Sequence, residues 1–263
     1  MEPSVIVDSL WYRIKDLLPE RKSPGPKGGR PPVDDRIVLE GIVFMLVAGI
    51  PWRYFPNNFG CSRSTCWRRI QQWQELGIWE ALYALLLDEL QRRGLIRWSR
   101  AAVDSSLVRA MEGGEKTGPN PTDRGRLGSK HHLLVDAQGI PLAIRTTAAN
   151  RHDVTQIVPL VNSIPPVRGK RTRPRRLYGD RAYDSQAVRN TLKRKGIRPY
   201  LAKRNTGHGS GLGKWRWVAE RTISWLHGFR HLRSRWERRA DIHQAFLILA
   251  ACIICIRTIW NQF

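Results

Sequence analysis

The segment over residues 177–184, which reads LYGDRAYD, constrains the fold of this chain more than any other stretch. It is a short apolar run that ends on Gly179-Asp180 and passes directly into a helical pattern. A strand that ends this way places a carboxylate at the rim of a sheet, where open α/β sheets bind their ligands. The segment therefore predicts an α/β fold with chemistry near Asp180.

Two more acidic residues stand in comparable settings. Asp104 follows the apolar run 100–103, and Glu220 lies early in a helical pattern over 215–235. Oxygen ligands from three separate elements suit a hard divalent cation such as Mg²⁺. Each residue also has a purely structural interpretation: Asp104 could cap the turn after it, Asp180 the next helix, and Glu220 could pair with Arg216. Their joint placement favours the metal site.

The charge of the chain predicts a polyanionic partner. The 45 Lys and Arg residues against 22 Asp and Glu give a formal net charge of +23. Nucleic acid fits best, because neutralising its phosphates releases condensed counterions. The longest apolar run, 245–256, is shorter than the roughly 20 residues of a membrane-spanning helix, and no secretory signal is visible. We expect double-stranded DNA as partner, no membrane, and a bacterial cytoplasmic protein associated with the nucleoid.

Two other site classes are disfavoured by spacing. The four cysteines, of which Cys252 and Cys255 lie inside the apolar run, lack a second metal-binding pair and are expected to be buried hydrophobes. The glycine-rich segment 206–214 matches neither a P-loop nor a dinucleotide fingerprint, because His208 and Trp215 occupy positions that the P-loop requires to be Gly and Ser or Thr.

The first 95 residues predict a helical, helix-turn-helix-like DNA-binding domain. Helical patterns cover residues 4–19, 34–48, 65–76 and 78–93, with a basic Pro- and Gly-rich break at 21–32. A helix, a short turn and a second helix with arginines near its start is the arrangement of a helix-turn-helix reader, although cationic faces are common on helical domains.

From residue 96 onward the pattern becomes mixed. Strands are predicted at 101–104, 131–136, 142–147, 177–180 and 197–201, with helices at 153–163, 185–195 and 215–235. Asp153 is predicted to cap the first of these helices, and residues 111–130 to form a mobile loop. The candidate DNA contacts are the cations Arg30, Arg63, Arg68, Arg69, Arg175, Arg176, Lys214, Arg216, Arg221 and Arg230.

Short sequence motifs in both halves of the chain resemble those of a known protein family. The matching phrases, in order, are LLP at 17–19, GRPP at 29–32, GIPWR at 49–53, VDSS at 103–106, GPNPTDRG at 118–125, GSKHHLLVD at 128–136, ANRHD at 149–153 and WVAERT at 217–222. Their shared order resembles the DDE transposases of the insertion-sequence-five type, which are built on a ribonuclease-H-like fold.

The resemblance implies a catalytic domain over 96–263 with a mixed sheet flanked by helices. It implies an enzyme dependent on two Mg²⁺ (or Mn²⁺) ions that cuts the ends of a mobile element and joins the 3′-hydroxyls to target DNA. Asp104, Asp180 and Glu220 match the catalytic, metal-binding triad, and holding two DNA ends requires a homodimer. The alternatives are a structure-specific nuclease on the same fold and a non-catalytic DNA-binding regulator.

The chain departs from the family pattern around Glu220. Related families carry a Tyr, Arg, Glu, Lys signature, of which Arg216 and Glu220 are present while Gly213 and His227 replace the other two. A helical wheel places Arg216, Glu220 and His227 on one side of the helix. Only 39 residues separate Asp180 from Glu220, too few for the large β insertion of some relatives.

Overall fold

The computed structural model describes residues 3–20, 28, 31–169, 172–203, 211 and 213–260. Arg30 and most of the glycine-rich segment therefore lie outside the described residues. The helices and strands, in chain order, are α1 Pro3–Ile14, α2 Asp35–Ala48, α3 Arg63–Glu75, α4 Ile78–Arg92, β1 Ala101–Ala110, β2 Gly118–Pro119, β3 Leu127–Asp136, β4 Pro141–Ala148, α5 Ile157–Asn162, β5 Arg176–Gly179, α6 Gln186–Arg194, β6 Arg198–Leu201, α7 Gly213–Gly228, β7 Ser234–Arg235 and α8 Ala240–Trp260.

The described strands form one mixed sheet around β1. β1, β5 and β6 run parallel, while β3 is antiparallel to β1 and pairs on its other side with β4 and the short β2. β7 pairs with the last residues of β1. Apart from the short β2 and β7, the order β4-β3-β1-β5-β6 confirms the ribonuclease-H-like prediction.

Local chemistry accounts for the ends of several elements. Asp34 caps α2 by accepting the backbone N–H of Arg36 at 2.8 Å, and Ser62 caps α3 by accepting that of Thr65 at 3.2 Å. The β3–β4 hairpin is held by Asp136, whose carboxylate accepts the backbone N–H groups of Gln138 and Ile140. The backbone donors at these helix starts and in this turn are thus satisfied by nearby carboxylates or hydroxyls.

The two halves of the chain share one hydrophobic core. α8 packs against α1, α3 and α4 from the first half and against β4 from the second. Tyr83 on α4 donates a hydrogen bond of 2.7 Å to the carbonyl of Pro141 at the start of β4. By length and composition α8 could cross a membrane, but 83% of its most apolar window is buried here. The predicted division at residue 95 therefore does not coincide with a gap in packing.

Several sequence expectations differ from the structure. The strand predicted over 101–104 continues to Ala110, so Asp104 lies inside β1 and not at its end. The helix predicted over 215–235 ends at Gly228, because Arg235 is drawn into the core, where its guanidinium donates to Ser129 Oγ at 2.7 Å. The loop predicted over 111–130 contains β2 and the start of β3, since Ser129 and Lys130 are buried. The connection between α2 and α3 occupies residues 49–62, longer than the turn of about 3–4 residues in a helix-turn-helix.

Candidate active site and nucleic-acid interface

Asp104 lies in the middle of the central strand β1. Its carboxylate accepts the backbone N–H of Ser105 at 2.8 Å. Burial raises the pKa of Asp104 to about 6; the Ser105 N–H and the charge of Arg216 act against this rise, while the charges of Asp180 and Glu220 add to it. These interactions place Arg216, Asp180 and Glu220 within electrostatic reach of Asp104.

Asp180 comes directly after β5, the strand that pairs in parallel with β1. The parallel register pairs Ala102 with Tyr178, and continuing this register brings Asp104 level with Asp180, one strand spacing or roughly 5 Å of backbone away. Asp180 also caps the 3₁₀ turn that follows, accepting the backbone N–H of Ala182 at 2.9 Å.

Glu220 projects from α7, which crosses the sheet over β1, β3 and β5. Val218, Ala219, Thr222 and Leu226 form the buried face of this helix, while the Glu220 side chain is 61% exposed. Arg216, one turn earlier, lies 4.0 Å from the Glu220 carboxylate. α7 therefore carries Glu220 and Arg216 where the charges of both side chains shift the pKa of Asp104.

The donor set fits a hard divalent cation in its chemistry. Burial is the main cause of the raised pKa of Asp104, and the charges of Asp180 and Glu220 add to it, so a cation bound among these carboxylates would offset their repulsion. The structural alternatives are also present: a local hydrogen bond at each aspartate and an ion pair at Glu220. Among the described residues, no three His, Cys, Asp or Glu side chains are already grouped to hold one ion. The catalytic roles of the three residues stay a prediction.

A basic trough runs beside α3. It consists of a cavity of about 1070 Å³ at the start of that helix and an adjoining one of about 480 Å³. Arg53, Arg63, Ser64 and Arg68 line both. The predicted contacts Arg63 and Arg68 therefore share one surface, and the residues that sequence reasoning missed there are Arg53, Arg238 and Arg239. The sequence feature that could have identified these arginines is a tryptophan close to a cation, which occurs at 52–53 and at 236–239.

The remaining predicted DNA contacts have different surroundings. Arg69 lines the larger cavity as well, but its guanidinium is held by Asp35 at 3.0 Å and by Gln72 at 2.7 Å. The guanidinium of Arg221 lies between the rings of Trp217 and Trp225, 4.6 Å from each.

Four further candidates lie on separate parts of the surface. Arg175 and Arg176 flank the start of β5, at the opposite end of that strand from Asp180. Lys214 sits over Trp215, with 5.4 Å between Nζ and the ring centroid, and Arg230 is exposed after α7.

Comparison with known proteins adds a family to this geometry. Residues 99–255 match the Transposase DDE domain family, and residues 6–83 match the family described as a putative transposase of the IS4/5 family. A putative transposase for insertion sequence element IS402 from Burkholderia cepacia is 60% identical over 153 residues, covering 57% of this chain and 71% of the relative. The transposase for insertion sequence element IS1106 from Neisseria meningitidis serogroup B is 30% identical over 139 residues, covering 49% and 46%.

Among solved structures, the Mos1 transposase paired-end complex with left transposon end is similar over 90% of this chain and 86% of that one. The identity is 12% and the TM-score 0.27. A similarity this low adds nothing to the sheet order described above.

Proposed function

This chain belongs to the IS4/IS5-type DDE transposases, and we propose that it binds the terminal inverted repeats of an insertion sequence, cleaves the element's ends by metal-dependent phosphodiester hydrolysis and joins the 3′-hydroxyls to target DNA. It would do so as a homodimer on bacterial DNA, in the nucleoid. The observation that supports the chemistry most directly is that the β1–β5 register brings Asp104 level with Asp180, while the charge of Glu220 on α7 also acts on Asp104.

In this proposal the three carboxylates hold Mg²⁺ or Mn²⁺. Two such ions, when bound, activate a water or 3′-hydroxyl and stabilise the leaving oxygen of the phosphodiester. The protein's part is to hold the two aspartates level on neighbouring strands and to present Glu220 from the helix above them. Arg216, beside Asp104 and Glu220, would contact a phosphate oxygen of the DNA and offset its charge.

The basic trough supplies a second point of contact with DNA. Its smaller cavity includes Glu112, which lies two residues after the end of β1 at Ala110, and Ala110 lies six residues beyond Asp104 on that strand. Six strand residues span roughly 20 Å, which corresponds to about six base pairs of B-form duplex. A duplex that followed β1 over this distance would reach both the trough and the acids.

The test is a cleavage and joining assay with the inverted repeats that flank the gene. We expect the wild-type protein with Mg²⁺ or Mn²⁺ to nick the repeat ends and to link the 3′ ends covalently to a second duplex. Asp104→Asn, Asp180→Asn and Glu220→Gln should each lower cleavage by at least about a thousandfold while leaving repeat binding within about twofold, because metal ligands are lost and the trough is untouched.

Each other outcome identifies an alternative. Cleavage without joining would favour a structure-specific nuclease. Repeat binding with no cleavage under either metal would favour a DNA-binding regulator. Retained cleavage in all three variants would contradict the assignment of the acids.

A further inference from the structure

The sequence predicted that Asp153 caps a helix, and this prediction is wrong. Its carboxylate instead binds side chains of the neighbouring strands β1 and β3. The short 3₁₀ turn that Asp153 begins has no side-chain cap. Its Oδ1 accepts the hydroxyl of Ser105 at 2.8 Å, and its Oδ2 accepts the ammonium of Lys130 at 3.1 Å. The ring Nδ1 of His132 lies 3.5 Å from Oδ1. One carboxylate thus joins β1, β3 and the segment after β4.

These contacts are enclosed. The Asp153 side chain is 16% exposed, and Lys130 as a residue 8%. The Lys130 ammonium also donates to the carbonyl of Arg151 at 3.0 Å, and His132 Nε2 lies 2.8 Å from Thr147 Oγ1. Burial lowers the pKa of His132 to about 4, so Lys130 is the cation that balances Asp153. A buried charge with no partner is costly, and this pairing fixes both groups in place.

The cluster lies directly behind the two aspartates of the candidate site. Ser105 follows Asp104 and points to the opposite face of β1, because side chains alternate along a strand. The turn at 153–155 packs against the turn at 181–183, which Asp180 begins. Tyr183 in that turn is buried, and after burial the charges of Asp153, Asp104 and Asp180 all raise its pKa. Asp153 therefore adjoins both strands that carry the aspartates.

We propose that Asp153 is a positioning residue: by binding Ser105 and Lys130 from the far side of the sheet, it holds Asp104 and Asp180 close enough to share a divalent cation. The inference rests on the proposed function. Two carboxylates that repel each other would separate unless the backbone beneath them were held, and groups behind a metal site set its ligand geometry. The hydroxyl of Ser105 provides that hold one residue from Asp104.

The test is Mn²⁺ binding by the full-length chain, measured as free Mn²⁺ by electron paramagnetic resonance, alongside the thermal midpoint. Asp153→Asn should weaken Mn²⁺ affinity about tenfold or more, and Ser105→Ala about threefold. Asp136→Asn is the matched control, because it removes another buried carboxylate that braces β3 at the hairpin, away from Asp104. It should lower the thermal midpoint with unchanged Mn²⁺ affinity.

The outcomes separate this inference from the proposed function. If Asp104→Asn binds Mn²⁺ as tightly as the wild type, the proposed metal site itself is wrong. If Asp104→Asn loses Mn²⁺ but Asp153→Asn and Ser105→Ala keep wild-type affinity, the positioning role is overturned. If Asp153→Asn and Asp136→Asn weakened Mn²⁺ affinity equally, the effect would be a general loss of rigidity, and the positioning role would also be overturned. If Asp153→Asn fails to fold, the Mn²⁺ affinity of Ser105→Ala, which keeps the ion pair between Asp153 and Lys130, decides whether the positioning role holds.

Discussion

The hydroxyl of Ser106 lies 3.3 Å from Nε2 of His227 and joins the strand that carries Asp104 to the helix that carries Glu220. Ser106 is two residues beyond Asp104, so the two side chains share a face of β1. Burial, and then the charge of Arg233, lower the pKa of His227. The residue that replaces the signature lysine is therefore a neutral brace at pH 7 and not a cation.

Replacing His227 tests this brace. His227→Gln keeps a hydrogen-bonding group for Ser106, whereas His227→Phe keeps the volume and loses the bond. A single neutral hydrogen bond is worth about 1 kcal/mol, so we expect His227→Phe to lower end cleavage several-fold and His227→Gln to stay near wild type. Single-turnover cleavage rates measure the difference. Equal activity of the two variants would contradict a bracing role.

Asp104 should make the metal-free protein less stable as pH rises. Its pKa is raised from an ordinary value near 3.9 to about 6, so the folded state binds more protons than the unfolded state in that window. Stability then falls between about pH 4 and pH 6 by roughly 2–3 kcal/mol. In EDTA, Asp104→Asn should melt higher than the wild type at pH 7.5 and equally at pH 4. A constant difference across pH would refute the assignment.

Arg63, Arg68 and Arg69 should divide into two classes. Arg63 and Arg68 line the basic trough, so replacing either with alanine should reduce the slope of log affinity against log salt by about 1 and leave the thermal midpoint unchanged. Arg69 also lines the larger cavity, but its guanidinium is paired with Asp35, which is 5% exposed, so Arg69→Ala should instead lower the midpoint. Salt titrations of repeat binding and thermal melts measure both. A reduced salt slope for Arg69→Ala at unchanged stability would show that Arg69 contacts DNA.

Gly179→Ala should disturb the spacing of the two aspartate strands. A Cβ at this position would lie 2.9 Å from Leu201 Cδ2 and 3.0 Å from Val103 Cγ1, between β6 and β1. Overpacking costs about 1–3 kcal/mol, and here it pushes β5 away from β1 next to Asp180. We expect a lower thermal midpoint and at least about tenfold slower cleavage. Gly228→Ala, where a Cβ meets nothing within 4 Å, is the control and should retain both.

Glu237 should be the most costly single carboxylate to remove. It is fully enclosed and lies 2.6 Å from Nε2 of His231 and 3.3 Å from Nδ1 of His243. Burial acts to raise its pKa, but the charges and hydrogen bonds of the two histidines hold that pKa well below its usual range. Glu237→Gln should destabilise the fold by about 3–5 kcal/mol at pH 7.

The pH dependence of unfolding gives the same prediction a second readout. A depressed carboxyl pKa contributes stability that is present above the unfolded pKa and lost as pH falls through the folded one. The gap between the wild type and Glu237→Gln in urea unfolding should therefore shrink below about pH 4. The exposed Glu40→Gln should change stability by less than about 0.5 kcal/mol. A gap that stays constant with pH would contradict the ionised state of Glu237.

Local patterns in the sequence located β1, β3, β4, β5 and β6 and singled out three candidate acids, whose roles stay a prediction. The alternation of apolar residues, the Gly179-Asp180 stop and the helical period around Glu220 depend on neighbours a few residues apart, and all appear in the structure. The failures arose where distant groups intervened. Gly228 ends α7 because Arg235 enters the core beside Ser129, more than 100 residues away along the chain.

The sequence by itself determined the helices and strands of an α/β fold, the basic charge and which carboxylates are candidates for a site, because propensity, hydrophobic period and charge are properties of short segments. Only the tertiary structure decided that Asp153 binds Ser105 and Lys130 and is not a helix cap. It also decided that Arg69 forms an ion pair with Asp35, and that α8 fills a core shared by both halves. Each of those pairings depends on which buried charge or apolar face most needs a partner, and that need arises only when separate elements exclude water together.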